Sequence, residues 1–218
     1  MNIKAFVFDA YGTLFDVHSV RERLDNLFPD NSEAISQSWR SKQVHYFFIR
    51  QLIDGYEPFN LITKWALQDA LIENGIEYNK DIVEDLMEAY KQLKPYEEVR
   101  DVLQQLENHQ RVIFSNGTQA MLEPLLEYNG LDQTLGLLSA DQIHIYKPSP
   151  DAYQFALNQL GVSKEEVLFM SSNPWDIAGA KHFGFNTAWI SRDGKEFPQM
   201  GLEPDRIYQT LAGIVEWS

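Results

Sequence analysis

The sequence predicts an α/β protein, a central parallel sheet wound on both faces by helices, with a long all-helical insertion after the first strand. Three observations lead there. Lys4-Ala5-Phe6-Val7-Phe8-Asp9 is a short apolar run that stops at a carboxylate; it is too short to span a membrane and suits a buried central strand. From Asp16 to about Leu93, apolar residues recur every three or four places with hardly any strand-like stretch. After Pro95 the rhythm becomes strand and helix in alternation, the pattern of a parallel sheet.

Each element has a local reason. The first strand places Asp9 at the carboxyl edge, where open α/β sheets hold their ligands. Gly12 permits a sharp bend, and the Thr13 hydroxyl can hold the Asp9 carboxylate or satisfy loop amides. A plainer reading makes Asp9 a cap for the following segment. In the insertion, residues 33–53 repeat Ile35, Trp39, Val44, Phe47, Phe48 and Leu52 at helical spacing. Residues 59–73 and 82–93 continue the pattern, with Gly55, Pro58, Gly75 and Pro95 as punctuation. Helices are then predicted over 97–108, 119–129, 150–160 and 175–183. Strands are predicted within 111–117, 135–139, 167–173, 187–191 and 206–208. The predicted division is an α/β core of residues 1–15 and 95–218 and a helical cap of residues 16–94.

Composition narrows the partners. The 218 residues suffice for one large domain or a core with a smaller insert. A net charge of −14 argues against nucleic acid and against an anionic membrane surface. An anionic substrate must then be drawn in by a local cluster of cations. The absence of cysteine removes disulfides, a thiolate nucleophile and Cys-ligated metal. Met-Asn-Ile-Lys runs directly into the first strand, which leaves no room for a signal peptide and points to a cytoplasmic protein.

The functional signal is a coincidence of strand ends. Asp9, Ser115-Asn116-Gly117 and Ser171-Ser172-Asn173 all lie just past apolar runs, so a parallel sheet gathers them at one edge. Lys147, before Pro148, sits on a loop that reaches the same edge, and Asp176 opens a helix three residues after Asn173. Singly, Ser-Asn-Gly is a common turn, Lys-Pro a common loop, and Asp176 a first-turn residue complementing the helix dipole. Together they point to a catalytic site.

These segments resemble the four motifs of the haloacid dehalogenase (HAD) superfamily, and the helical insertion resembles its cap domain. The resemblance narrows to the (S)-2-haloacid dehalogenases on Phe8-Asp9-Ala10-Tyr11-Gly12-Thr13-Leu14-Phe15-Asp16-Val17, Trp39-Arg40, Lys42-Gln43, Tyr146-Lys147-Pro148 and Ser171-Ser172-Asn173 with Trp175-Asp176. It extends in order over nearly the whole chain. It implies a HAD-like Rossmannoid core with an inserted all-helical cap, and a homodimer packed through the helical region. The Trp, Tyr and Phe content of residues 39–53 fits such an interface, and equally fits packing beneath the core.

The residues carry their own chemical argument. Phosphate-ester-cleaving relatives usually place a second Asp two positions after the nucleophile, to protonate an alkoxide; here that position is Tyr11. A halide leaves without a proton and needs no such acid. Phosphonate-cleaving relatives also lack it. The expected reaction is attack of Asp9 on C2 of a short (S)-2-haloalkanoate with inversion, followed by hydrolysis of the aspartyl ester to an (R)-2-hydroxy acid. Lys147 would keep Asp9 ionised, and Asp176 would orient Lys147 and activate the water. Thr13, Ser171 and Asn173 would position these groups. Ser115 and Asn116 suit the substrate carboxylate.

The resemblance assigns the halide to Arg40, whose plain alternative is a solvated helix arginine. Tyr11, Val44, Phe59 and Trp175 would form an apolar wall around the alkyl group. Tyr153 resembles a family tyrosine in the active-site hydrogen-bond network; any of these aromatics can instead be simple core. Ser41 replaces the glutamine that often follows the cap arginine, which opens halogen preference and substrate size. No cofactor and no metal are expected, because magnesium on Asp9 would occupy the nucleophile's lone pairs. The partners expected are a small 2-haloacid and its halide product. Three alternatives stay open: a hydrolase for another C2-substituted acid such as fluoroacetate, a hydrolase for a small phosphate ester, and a non-catalytic anion-binding protein.

Overall fold

Ala5–Phe8 forms strand β1 with all four side chains buried. Side chains alternate across a strand, so Phe6 and Phe8 enter the larger apolar core while Ala5 and Val7 enter the smaller one on the other face. A strand buried on both faces must be apolar throughout, which is why its first carboxylate marks its end. The structure is a computed structural model that describes residues 2–218.

After β1 the chain leaves the sheet through β2 (Phe15–Asp16) and returns through β3 (Lys94–Pro95). These two pair antiparallel, Phe15 opposite Pro95 and Asp16 opposite Lys94, so departure and return lie side by side. Between them come α1 (Arg21–Leu27), α2 (Ser32–Leu52), α3 (Phe59–Glu73) and α4 (Lys80–Ala89). The helix expected over 82–93 is α4 continued by a 3-10 turn at Tyr90–Gln92. Helix α1 is an addition to the expected elements; it buries only Leu24, too few positions to show a period.

The remaining elements alternate: α5 (Val99–Gln105), β4 (Gln110–Ser115), α6 (Gln119–Asn129), β5 (Gly136–Ser139), α7 (Pro150–Leu160), β6 (Val167–Ser171), α8 (Pro174–Phe183), β7 (Asn186–Ile190) and β8 (Arg206–Tyr208). Helix α5 is shorter than its expected range, because a turn closed by the His109 N–H on the Leu106 carbonyl brings Gln110 level with Ala5. A 3-10 segment, Leu211–Trp217, follows β8 and buries Leu211 and Ile214.

The strand order is β5-β4-β1-β6-β7-β8, and every pairing in this sheet is parallel. From β1 the chain builds β4 and β5 on one side, then β6, β7 and β8 on the other. The crevice beyond the carboxyl end of β1 is therefore a topological switch point, flanked by the ends of β4 and β6. Among the described residues no helix is long and apolar enough to cross a membrane.

Candidate active site

Asp9 follows β1 directly, level with the ends of β4 and β6, and is 5 % exposed. The chain then turns at Gly12, whose φ of +83° suits a residue without a Cβ; an added Cβ would also stand 3.0 Å from the Ser172 hydroxyl. That turn brings Thr13 back toward the carboxylate. Asp9 Oδ2 accepts from the Thr13 hydroxyl (3.1 Å), the Ser171 hydroxyl (3.3 Å) and Asn173 Nδ2 (2.9 Å). Thr13 in turn accepts from the Ser172 N–H (2.9 Å), and its carbonyl accepts from Arg192 Nη2 (2.7 Å).

Asp9 Oδ1 accepts from Lys147, a lysine with no exposed surface. All three ammonium protons are placed: Asp9 Oδ1 at 3.0 Å, Asp176 Oδ2 at 2.6 Å and the Phe114 carbonyl at 2.9 Å. Burial alone would push the Lys147 ammonium down, but the charges of Asp176 and Asp9 outweigh it and the net shift is upward. Asp176 moves the opposite way from a simple ion-pair partner. Burial raises its carboxyl to about 6 against the pull of Lys147, because one cation shared by two carboxylates leaves a net negative charge in a dry site. Its other oxygen accepts from the Tyr153 hydroxyl at 2.6 Å.

Lys147 is aimed by its backbone as well. Asn116 Oδ1 accepts from the Lys147 N–H (2.8 Å) while Asn116 Nδ2 donates to the Lys147 carbonyl (3.1 Å). The Asn116 side chain thus positions the lysine, and it lines the cavity as well, with a second Nδ2 proton beyond the one given to Lys147. Ser115 Oγ accepts from the Gly117 N–H (3.1 Å), which leaves its own proton available to the cavity it lines.

That cavity has room for about one water, 10 Å³, and is lined by Asp9, Tyr11, Arg40, Phe47, Phe59, Ser115, Asn116, Asn173 and Trp175. Arg40 reaches it from α2. Its Nη2 donates to Asn173 Oδ1 (3.0 Å) and its Nη1 to Gln43 Oε1 (2.7 Å), and among the described residues it makes no ion pair with a carboxylate. In a chain of net charge −14, a half-buried arginine without a carboxylate leaves its remaining N–H groups for an anion.

A family model described as haloacid dehalogenase-like hydrolase matches residues 3–184. The chain belongs to the haloacid dehalogenase-like hydrolases. Among its relatives, the (S)-2-haloacid dehalogenase of Pseudomonas sp. (strain YL) is 40 % identical over 217 residues, covering 98 % of this chain and 94 % of that one. The (S)-2-haloacid dehalogenase of Xanthobacter autotrophicus is 41 % identical over 195 residues, 89 % and 77 % of the two chains. A crystal structure of L-2-haloacid dehalogenase from Xanthobacter autotrophicus with chloropropionic acid covalently bound superposes with a TM-score of 0.91 at 35 % identity, covering 98 % and 97 %.

In this haloacid dehalogenase-like hydrolase, most of the sequence-derived site residues meet around Asp9, and two of those expected against the substrate, Val44 and Tyr153, do not line the cavity. Val44 is half-buried against the larger core and does not line the cavity. Phe47, seven residues after Arg40 on the same face of α2, takes that place with its ring 5.3 Å from Trp175. Tyr153 lies behind Asp176 as its hydrogen-bond donor and lines no part of the cavity. Ser41 is exposed, so it does not shape the arginine's setting; Gln43 and Asn173 do. Gln43 and Phe47 were the residues missed. The seven-residue spacing from Arg40 could have found Phe47, but nothing local distinguishes a buried glutamine from a solvated one. Among the described residues no three His, Cys, Asp or Glu side chains come together to hold a metal ion, and Asp9 and Asp176 are bridged by an ammonium.

Proposed function

We propose that this chain is an (S)-2-haloacid dehalogenase, hydrolysing short (S)-2-haloalkanoates to (R)-2-hydroxyalkanoates and halide. One observation carries the reading. A carboxylate held by Lys147 faces an apolar cavity whose far side offers Arg40 without a carboxylate partner, while Tyr11 stands where an acid for an oxygen leaving group would be. The names of the relatives agree with it.

In this mechanism the substrate carboxylate sits on the Ser115 hydroxyl and loop amides, which hold it as neutral donors and leave the Asp9–Lys147 pair intact. An Asp9 oxygen attacks C2 from the face opposite the halogen. The C–O bond forms as the carbon–halogen bond breaks, and the halide leaves with the electron pair toward Arg40. Water then adds to the Asp9 carboxyl carbon and its proton goes to Asp176. Burial makes this carboxyl more basic than an ordinary aspartate, and its oxygens keep lone pairs beyond those bound to Lys147 and Tyr153. Collapse of the adduct releases the hydroxy acid, which takes that proton, and leaves Asp9 carrying the second water proton; its loss to solvent restores the carboxylate. No step requires a metal.

A second reading is a preference for haloacetates, fluoroacetate included. A relative described as haloacetate dehalogenase H-2, from Moraxella sp. (strain B), is 37 % identical over 98 % of this chain and 96 % of that one. Any of these acids needs the rings of Phe47, Phe59 and Trp175 to move, so residues 16–94 are proposed to act as a cap that opens on the paired β2 and β3. The enzyme is further proposed to be a cytoplasmic homodimer, a reading supported by the exposed Ile49, Leu52 and Ile53 at the end of α2.

The test is halide release from (S)- and (R)-2-chloropropionate and from chloro- and fluoroacetate, with EDTA present, for the parent and Asp9→Asn. Chloride from the (S) acid alone, lost in the variant, supports reaction class, nucleophile and metal independence together. Fluoride from fluoroacetate with no chloride from either propionate favours the second reading. Turnover abolished by EDTA overturns the metal-free mechanism, and no halide from any of the acids overturns the function.

A further inference from the structure

Arg40 is the end of a hydrogen-bond chain whose polarity can be worked out link by link. The Thr63 hydroxyl donates its single proton to the Phe59 carbonyl one turn back on α3, at 2.7 Å. Toward Gln43, 2.7 Å away, Thr63 can therefore act only as acceptor, so Gln43 must turn its Nε2 there. The Gln43 carbonyl oxygen is thereby forced toward Arg40, where it accepts from Nη1 at 2.7 Å. From the other side Asp9 is an acceptor, so Asn173 must turn its Nδ2 to Asp9 and its Oδ1 to Arg40 Nη2. The guanidinium is gripped at both nitrogens by carbonyl oxygens of fixed orientation.

Gln43 and Thr63 have no exposed surface, and neither touches the cavity or a titrating group of the reaction. A buried amide is costly unless its polar atoms are paired, and an apolar side chain at position 43 would fill the same space without that demand. The pairing aims Arg40, and Gln43 also reaches the hydroxyl of the buried Tyr90 beside it.

We infer that Gln43, locked by Thr63, is a positioning residue for Arg40 and thereby sets which halogens the enzyme can expel. The inference rests on the proposed dehalogenase reading and on Arg40 receiving the halide. Chloride is a poorer leaving group than bromide, so cleavage of a carbon–chlorine bond leans harder on a correctly placed guanidinium. A misaimed Arg40 then costs the chloro substrate more than the bromo one, whereas a general loss of folding costs both alike.

The experiment compares kcat/KM, which reports on carbon–halogen cleavage, for (S)-2-chloropropionate and (S)-2-bromopropionate in the parent, Gln43→Met, Thr63→Val and Thr63→Ser. In Gln43→Met the chloro-to-bromo ratio should fall about tenfold, as expected for losing a hydrogen bond to a charged group. It should fall less in Thr63→Val, and Thr63→Ser, which keeps the hydroxyl, should retain the parent ratio. Bromide binding to the resting protein, read as quenching of Trp175 fluorescence with Trp175→Phe as the blank, should weaken about tenfold in Gln43→Met. Unchanged ratios in both Gln43→Met and Thr63→Val overturn the inference while leaving the dehalogenase reading intact. If the parent turns over neither acid, the function reading fails, and bromide binding alone decides the role of Gln43: equal affinity in parent and Gln43→Met overturns it. Should Gln43→Met not fold, Thr63→Val carries the same comparisons.

Discussion

Replacing Lys147 with methionine tests the electrostatics of the site most directly. The substitution keeps most of the apolar volume but removes a cation whose three protons all have acceptors, leaving Asp9, Asp176 and the Phe114 carbonyl without it. Side-chain exposure is 1 % for Lys147, 7 % for Asp9 and 0 % for Asp176, so solvent does not replace what is lost. Removing one partner of a buried pair costs about 3–5 kcal/mol. In a chain of this size that is a fall in Tm of roughly 6–20 °C. The loss must also depend on pH. Asp176 is already raised from 3.8 to about 6 by burial, a cost to the folded state of about 3 kcal/mol at neutral pH. Without Lys147 it rises further, and a carboxyl raised by folding loses stability as pH climbs from its unfolded value through its folded one. Lys147→Met should therefore be much closer to the parent at pH 5 than at pH 8. In the parent, Lys147 itself is raised above 10.5, so its contribution is full below that pH and is lost as pH rises through the higher folded value; the variant has no such loss. The assay is urea unfolding at pH 5, 8 and 11, with Lys147→Met/Asp176→Asn alongside. The double variant should recover part of the stability at pH 8 while remaining inactive. A single variant within 1 kcal/mol of the parent at pH 8, or a deficit independent of pH, would refute the reasoning.

The same groups predict the shape of the activity profile: kcat should fall on the acid side at or below about pH 6, as Asp176 takes up a proton, because esterification removes the Asp9 charge that helps raise it, and stay level until above 10.5, where Lys147 loses its own. A halide-release profile with no acid limb in that region would contradict the role of Asp176. Tyr153→Phe removes the donor 2.6 Å from Asp176 and should cost about 1–3 kcal/mol in urea unfolding, with kcat reduced and KM for the haloacid little changed. Gly179→Ala would place a Cβ 2.5 Å from Pro148 Cβ and 2.6 Å from the Tyr153 hydroxyl, so α8 must shift from the Lys147 loop. About 1–3 kcal/mol of stability should go with it, together with activity.

Strand ends were legible in the sequence because burial on both faces forces apolar runs, and the first polar residue after such a run marks the edge of the sheet. Asp9, Ser115 and Ser171 follow from that rule alone once the strands are parallel. The helical insertion was legible for a similar reason: helices such as α3 bury Ile62, Ala66, Leu67, Ala70 and Leu71 on one side, and the period survives in the chain. Short elements with few buried positions, such as α1, left no such trace.

What the sequence determined by itself was therefore each residue's place on its own element: which face is buried, where a strand stops, and which polar groups stand at one edge. Only the tertiary structure decided which of them touch. Arg40 and Asn173 meet across 133 positions of sequence, and Gln43 meets Thr63 across two helices. Phe47 walls the cavity in place of Val44, and Asn116 pairs its amide with the backbone of Lys147. The charge states followed the same division. Asp176 is pushed up to about 6 because folding buries it with a second carboxylate and one shared cation, a circumstance that no local pattern records.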